Sequence, residues 1–178
     1  MKHICLKISI VIAVFVCTVL YPGKTIADSG VSIGISHGDE NSQAYDIAFQ
    51  KVLTPISSSE YFDIGPLVGA GISLWEHPDK ALWGGNVNVG IMGVFSGGDA
   101  WRPFIAGTLG LAVLSSDEFN DLDLGCRVQF RSRGSLGVKF GEGLRHVLQC
   151  DVTHYSNGGM AGENDGYSTM GLSYGFTF

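Results

Sequence analysis

The closing stretch Gly166-Tyr167-Ser168-Thr169-Met170-Gly171-Leu172-Ser173-Tyr174-Gly175-Phe176-Thr177-Phe178 decides the fold. Met170, Leu172, Tyr174, Phe176 and Phe178 alternate with Thr169, Gly171, Ser173, Gly175 and Thr177. One face is apolar and the other small or polar, which is the period-two pattern of a β-strand. The preceding stretch reads the same way. Leu148, Cys150 and Val152 share a parity with His154 and Ser156, while Gln149, Asp151 and Thr153 take the other face. A histidine and a serine therefore sit two residues apart on the apolar face, at the end of a strand.

Working outward, six further alternating segments precede this pair: 31–37, 43–53, 61–75, 82–95, 101–114 and 126–140. The contrast is sharpest in the last, where Val128, Phe130, Leu136, Val138 and Phe140 oppose Arg127, Gln129, Arg131, Arg133 and Lys139. Eight antiparallel strands are enough to close a barrel. The small and polar face, with its Arg127/Arg131/Arg133 row, suits a narrow lumen in which Asp46 or Asp151 would pair with the arginines. The bulky apolar face then meets lipid. Tyr45, Tyr61, Trp75, Trp83 and Trp101 lie near segment ends, as an interfacial aromatic girdle would. The expected fold is all-β, an eight-stranded antiparallel transmembrane barrel spanning residues 28–178; a soluble lipid-binding barrel is the rival.

Residues 1–27 read as a secretory signal peptide. Lys2 and Lys7 precede the apolar run from Ile8 to Tyr21, and Thr25-Ile26-Ala27 supplies small residues for cleavage. That run is shorter than the about 20 residues a helical span needs. The formal charge is −6 over the full chain, and more negative once the leader lysines are removed, which excludes a nucleic-acid partner. Of the four cysteines, Cys126 and Cys150 would remain in the mature chain as free, lipid-facing thiols. No Cys/His spacing suggests a metal site.

With both termini on the periplasmic side, short turns near Pro55, Gly97-Gly98 and Gly141-Glu142-Gly143 are periplasmic. The stretches around Asp39, His77, Asp117 to Asp123 and Gly158 to Asp165 are then extracellular. His154 and Ser156 arrive at the outer leaflet. His-x-Ser on one strand places both side chains on one face, roughly 6.5 to 7 Å apart at Cα. An imidazole so placed can take the serine proton for acyl transfer. Ionisable groups at a lipid-facing surface are expensive unless used.

The motif His154-Tyr155-Ser156-Asn157-Gly158-Gly159-Met160, a short loop, Asn164-Asp165-Gly166 and a last strand ending in Phe178 resemble the outer-membrane lipid A 3-O-deacylase family. Arg102-Pro103-Phe104 opening the fifth strand adds to the resemblance, which extends in length and layout over the mature chain. It implies a serine hydrolase facing the lipid of the cell outer membrane and removing an ester-linked 3-hydroxyacyl chain from lipopolysaccharide, without cofactor or metal. It further implies His154 as general base, Ser156 as nucleophile, and Asn157, Gly158 and Asn164 in the stretch that holds the oxyanion or substrate. The expected partners are lipid A and outer-membrane lipids, with a homodimer as a further option.

The chain departs from the family where a Glu or Asp would orient the histidine, because Ser168 stands there. A hydroxyl fixes a tautomer but does not stabilise an imidazolium by charge as a carboxylate does. Three readings stay open: Ser168 suffices in a slow enzyme, Glu163 or Asp165 reaches His154 from the loop, or the site is degenerate. The last leads to the alternative function, a non-catalytic small barrel with a structural or adhesion role.

Overall fold

The computed structural model describes residues 28–96, 98–162 and 164–178. The expected signal peptide, Gly97 and Glu163 lie outside the described residues. Eight long strands form the wall: β1 Ser29–Gly38, β2 Gln43–Val52, β3 Phe62–His77, β4 Lys80–Phe95, β5 Trp101–Leu114, β6 Val128–Phe140, β7 His146–Ser156 and β8 Tyr167–Thr177. Each pairs antiparallel with the next, and β8 pairs with β1 from Gly30↔Thr177 to Gly38↔Thr169, so the sheet closes. Closure removes the free edges that would expose unpaired backbone to hydrocarbon. Two short ladders are added, Ser57–Ser58 against β3 and Glu118–Phe119 against Leu122–Asp123.

The period-two faces sort as expected. Ile33, Ile47, Ile72, Leu109, Leu136 and Met170 are each more than 60 % exposed on the outer wall. So continuous an apolar exterior is untenable in water and suits a bilayer. The barrel is therefore a transmembrane one. Trp83, Trp101, Tyr45 and Tyr61 are exposed as a girdle requires.

Trp75 is a correction: it is 2 % exposed and points into the lumen. Its neighbour Leu74 faces outward, so parity sends the indole inside. Arg127 is also corrected, since it precedes β6 and is exposed rather than in the lumen row. Cys126 likewise lies before β6, half-buried, with its thiol donating to the Val128 carbonyl. Cys150 is a free and exposed thiol on the outer wall, as expected.

Inside, Asp151 is the hub. Arg133 approaches it with Nε at 2.9 Å and a second nitrogen at 2.5 Å. Ser135 and Ser173 each donate to it at 2.6 Å, and Gln149 adds longer contacts. A buried carboxylate needs this many donors to offset its lost hydration. Asp46, the other carboxylate considered for the arginines, instead accepts from Ser73. Near the lower end Lys139 pairs with Asp28.

Two apolar clusters plug the lumen. The lower contains Leu67, Met92, Phe104 and Ala106. The upper joins Trp75, Leu82, Leu114, Tyr155 and Tyr167 to Phe119 and Leu124, which the loop after β5 folds over the barrel mouth. Termini and the connections after β2, β4 and β6 share one end. The connections after β1, β3, β5 and β7 share the other, and the upper cluster lies there. The chain segment from Leu53 to Tyr61 is longer than the Pro78-Asp79 turn at the opposite end, so the expected short turn near Pro55 is a loop.

Candidate active site

β7 and β8 carry the candidate residues, and their inward side chains hold them in place. Tyr155, between His154 and Ser156, stacks edge-on against Trp75 at 4.9 Å between centroids. Tyr167, preceding Ser168, contacts both Trp75 and Phe119 at 5.5 Å. Such aromatic pairs contribute about 0.5–1.5 kcal/mol each beyond their area burial. Arg131 Nε donates to the Tyr155 hydroxyl at 3.0 Å, and Ser42 Oγ lies 2.7 Å from that of Tyr167. With both tyrosines anchored, a register slip that would turn His154, Ser156 and Ser168 inward is prevented.

On the outer face, His154 and Ser168 are direct cross-strand partners. The imidazole Nδ1 lies 2.9 Å from the Ser168 Oγ. Ser156, half-buried at the top of β7, pairs across to Phe130 of β6, an exposed aromatic. Gly166 makes room for the ring. A Cβ there would come within 3.0 Å of His154 Cε1, and its φ of +73° lies in the left-handed region that favours glycine.

The loop after β7 is pinned from below. Asn157 is fully buried, and its side-chain amide donates to the Leu124 carbonyl at 3.0 Å while Oδ1 accepts from Gly159 N–H at 2.7 Å. Its backbone N–H donates to Asn164 Oδ1 at 3.0 Å. The amides of Asn157 and Asn164 thus shape the loop. Gly158, at φ +64°, is exposed beside Phe130, and its N–H is used by none of these bonds.

Of the loop carboxylates considered as the orienting acid, Asp165 is engaged elsewhere: it accepts from Asp123 N–H at 2.8 Å. Glu163 lies outside the described residues. Sequence reasoning did not single out Asp39, whose Oδ2 accepts the Ser168 backbone N–H at 2.6 Å. The signal that would have found it is the pairing of first and last strands, whose final pair, Gly38↔Thr169, directly adjoins Asp39 and Ser168.

Residues 31–177 match the sequence profile described as lipid A 3-O-deacylase (PagL). The lipid A deacylase PagL of Pseudomonas aeruginosa is 31% identical over 106 residues, covering 59% of this chain and 60% of that protein. The match thus spans about three fifths of the curated relative. Among solved structures, that of the outer membrane enzyme PagL superposes with a TM-score of 0.77 at 24% identity, over 83% of this chain and 98% of the other. Neisserial surface protein A gives 0.53 at 10% identity, over 85% and 96%. The N-terminal barrel of P. aeruginosa OprF gives 0.52 at 11%, over 85% and 97%. These likenesses speak for the barrel. With the profile covering nearly all the described residues and the His-x-Ser strand end in place, the chain belongs to the lipid A 3-O-deacylase (PagL) family.

Proposed function

We propose that this protein is a lipid A 3-O-deacylase of the cell outer membrane, hydrolysing the ester of a 3-hydroxyacyl chain at the outer leaflet. Family membership supports the substrate class, and one observation carries the chemistry. His154 and Ser156 share the outer apolar face at the barrel end opposite the termini, with the imidazole tethered through Nδ1 to Ser168.

If Nδ1 carries the hydrogen and donates to Ser168, Nε2 keeps its lone pair for the Ser156 proton. Ser156 Oγ then attacks the acyl carbonyl, and the resulting oxyanion needs a donor. The Gly158 N–H, two residues past Ser156 and outside the hydrogen bonds that pin the loop, is the donor assigned to it, with Asn157 and Asn164 holding the loop that presents it. As the acyl carbon–sugar oxygen bond breaks, the imidazolium returns its proton to that oxygen, which departs as the sugar hydroxyl and leaves an acyl-serine. Water, activated by the same imidazole, releases the fatty acid. Phe130, Val152 and Met170 surround the pair on the outer wall, and an acyl chain lying along the bilayer would run over them.

A homodimer in the membrane belongs to the same reading. The mass of the detergent-solubilised protein tests it. The activity is tested by incubating purified protein with lipopolysaccharide and assaying free 3-hydroxy fatty acid. Release is expected; none above a heat-denatured control would leave the protein as a non-catalytic barrel.

A further inference from the structure

The geometry points to Asp39 as the positioning acid of this site, supplying through Ser168 the negative charge that the family otherwise places at the Ser168 position. This rests on the deacylase reading. Asp39 follows β1, next to Gly38, which is the β1 partner of Thr169. The ladder ends at that pair, and just past it the Asp39 side chain reaches the Ser168 N–H. Asp39, just past the end of β1, Ser168 on β8 and His154 on β7 therefore lie in a row at one level of the barrel. Adjacent strands are about 4.8 Å apart, so the backbones of Asp39 and His154 are about two strand spacings apart, with Ser168 between.

The contacts match that order. Ser168 presents its N–H to Asp39 Oδ2 at 2.6 Å and its Oγ to His154 Nδ1 at 2.9 Å. Ser168 thus meets the carboxylate through its backbone and the imidazole through its side chain. The imidazolium formed when Ser156 gives up its proton then has an anion on the far side of Ser168, held by that residue's backbone N–H. No proton need leave Ser168.

The turn bearing Asp39 is built rather than loose. Ser42, fully buried, donates through Oγ to the Asp39 carbonyl at 2.6 Å and contacts the Tyr167 hydroxyl. Gly38 N–H donates to the Ser42 carbonyl at 2.9 Å. A Cβ on Gly38 would lie 2.1 Å from the Tyr167 hydroxyl, so the turn and the β8 end fit only without one. Among the described residues no ion pair engages the Asp39 carboxylate. Its charge is therefore available to the site.

The test is a double-mutant cycle on full-length protein in detergent micelles with lipopolysaccharide, reading kcat and KM for wild type, Asp39→Asn, Asp39→Glu, Ser168→Ala and the Asp39→Asn/Ser168→Ala pair. Ser168→Ala keeps the backbone N–H to Asp39 and removes only the hydroxyl that meets His154. Asp39→Asn is expected to lower kcat about tenfold with KM unchanged, well short of the about 10⁴ for losing a directly bonded acid. Asp39→Glu should recover most of that loss, and Asp39→Asn should cost nothing further once Ser168 is alanine. Wild-type turnover in Asp39→Asn, or an equal loss with and without the Ser168 hydroxyl, would overturn the assignment. The second result would make Asp39 a support of the turn. Inactive wild-type protein would instead overturn the deacylase reading and this inference with it, and is recognised before any variant is compared. Unboiled electrophoretic mobility reports that each variant has closed its barrel.

Discussion

His154 and Ser168 face each other across the β7–β8 ladder, with imidazole Nδ1 2.9 Å from the hydroxyl. The hydroxyl holds the ring's orientation but brings no charge of its own. A carboxylate at that position would stabilise the imidazolium directly. Ser168→Glu is therefore expected to raise kcat by about tenfold, less than the 10⁴ a triad acid is worth, because Asp39 already contributes. Steady-state release of 3-hydroxy fatty acid measures it. A fall would mean that the outer face at this level has no room for the longer side chain beside Asp39.

Gly166 is held at φ +73°, and the space its missing side chain leaves is occupied by the edge of the His154 ring. Gly166→Ala adds backbone strain of about 1–2 kcal/mol and forces the imidazole to yield. The expected result is a loss of turnover of tenfold or more with the barrel still folded. Turnover equal to wild type would show that the ring sits elsewhere during catalysis.

The lumen offers a separate test of the fold. Asp151→Ala strands the Arg133 guanidinium among buried groups, and breaking a buried pair from one side costs about 3–5 kcal/mol. Arg133→Met with Asp151→Leu removes both charges and is expected to cost less than Asp151→Ala alone. Urea unfolding of the barrel in detergent gives both values. A single substitution milder than the pair would mean water reaches the lumen and hydrates the stranded charge.

Much of this architecture was legible from parity alone. All eight strands follow from alternation, and β5 runs from Trp101 to Leu114, the same bounds the pattern suggests. The pair His154 and Ser156 could be placed on one face at a strand end for the same reason. Parity also held the answer for Trp75, yet grouping it with the other aromatics by its nearness to a strand end put it in the girdle. Its burial against Tyr155 and Tyr167 is a consequence of Leu74 facing out. Arg127 was assigned by extending the alternation of β6 two residues past where the strand begins.

What local pattern does not carry is the closure. Asp39 and Ser168 are 129 residues apart in sequence, and only the β1–β8 pairing makes them neighbours. Nor does alternation reveal that the loop after β5 folds Phe119 and Leu124 over the barrel mouth, where Leu124 receives the Asn157 amide. Those contacts depend on loop conformation, which has no two-residue period to read.

The central claim is that Ser156 performs the chemistry at the lipid-facing surface, and Ser156→Ala tests it most directly. Purified wild-type and Ser156→Ala barrels, both shown to be closed, would be incubated with the same lipopolysaccharide and the lipid A weighed by mass spectrometry. The wild type should leave lipid A lighter by one hydroxyacyl chain, and Ser156→Ala should leave it intact, a loss of activity of about 10³-fold or more. Lipid A shortened equally by both proteins would contradict the assignment.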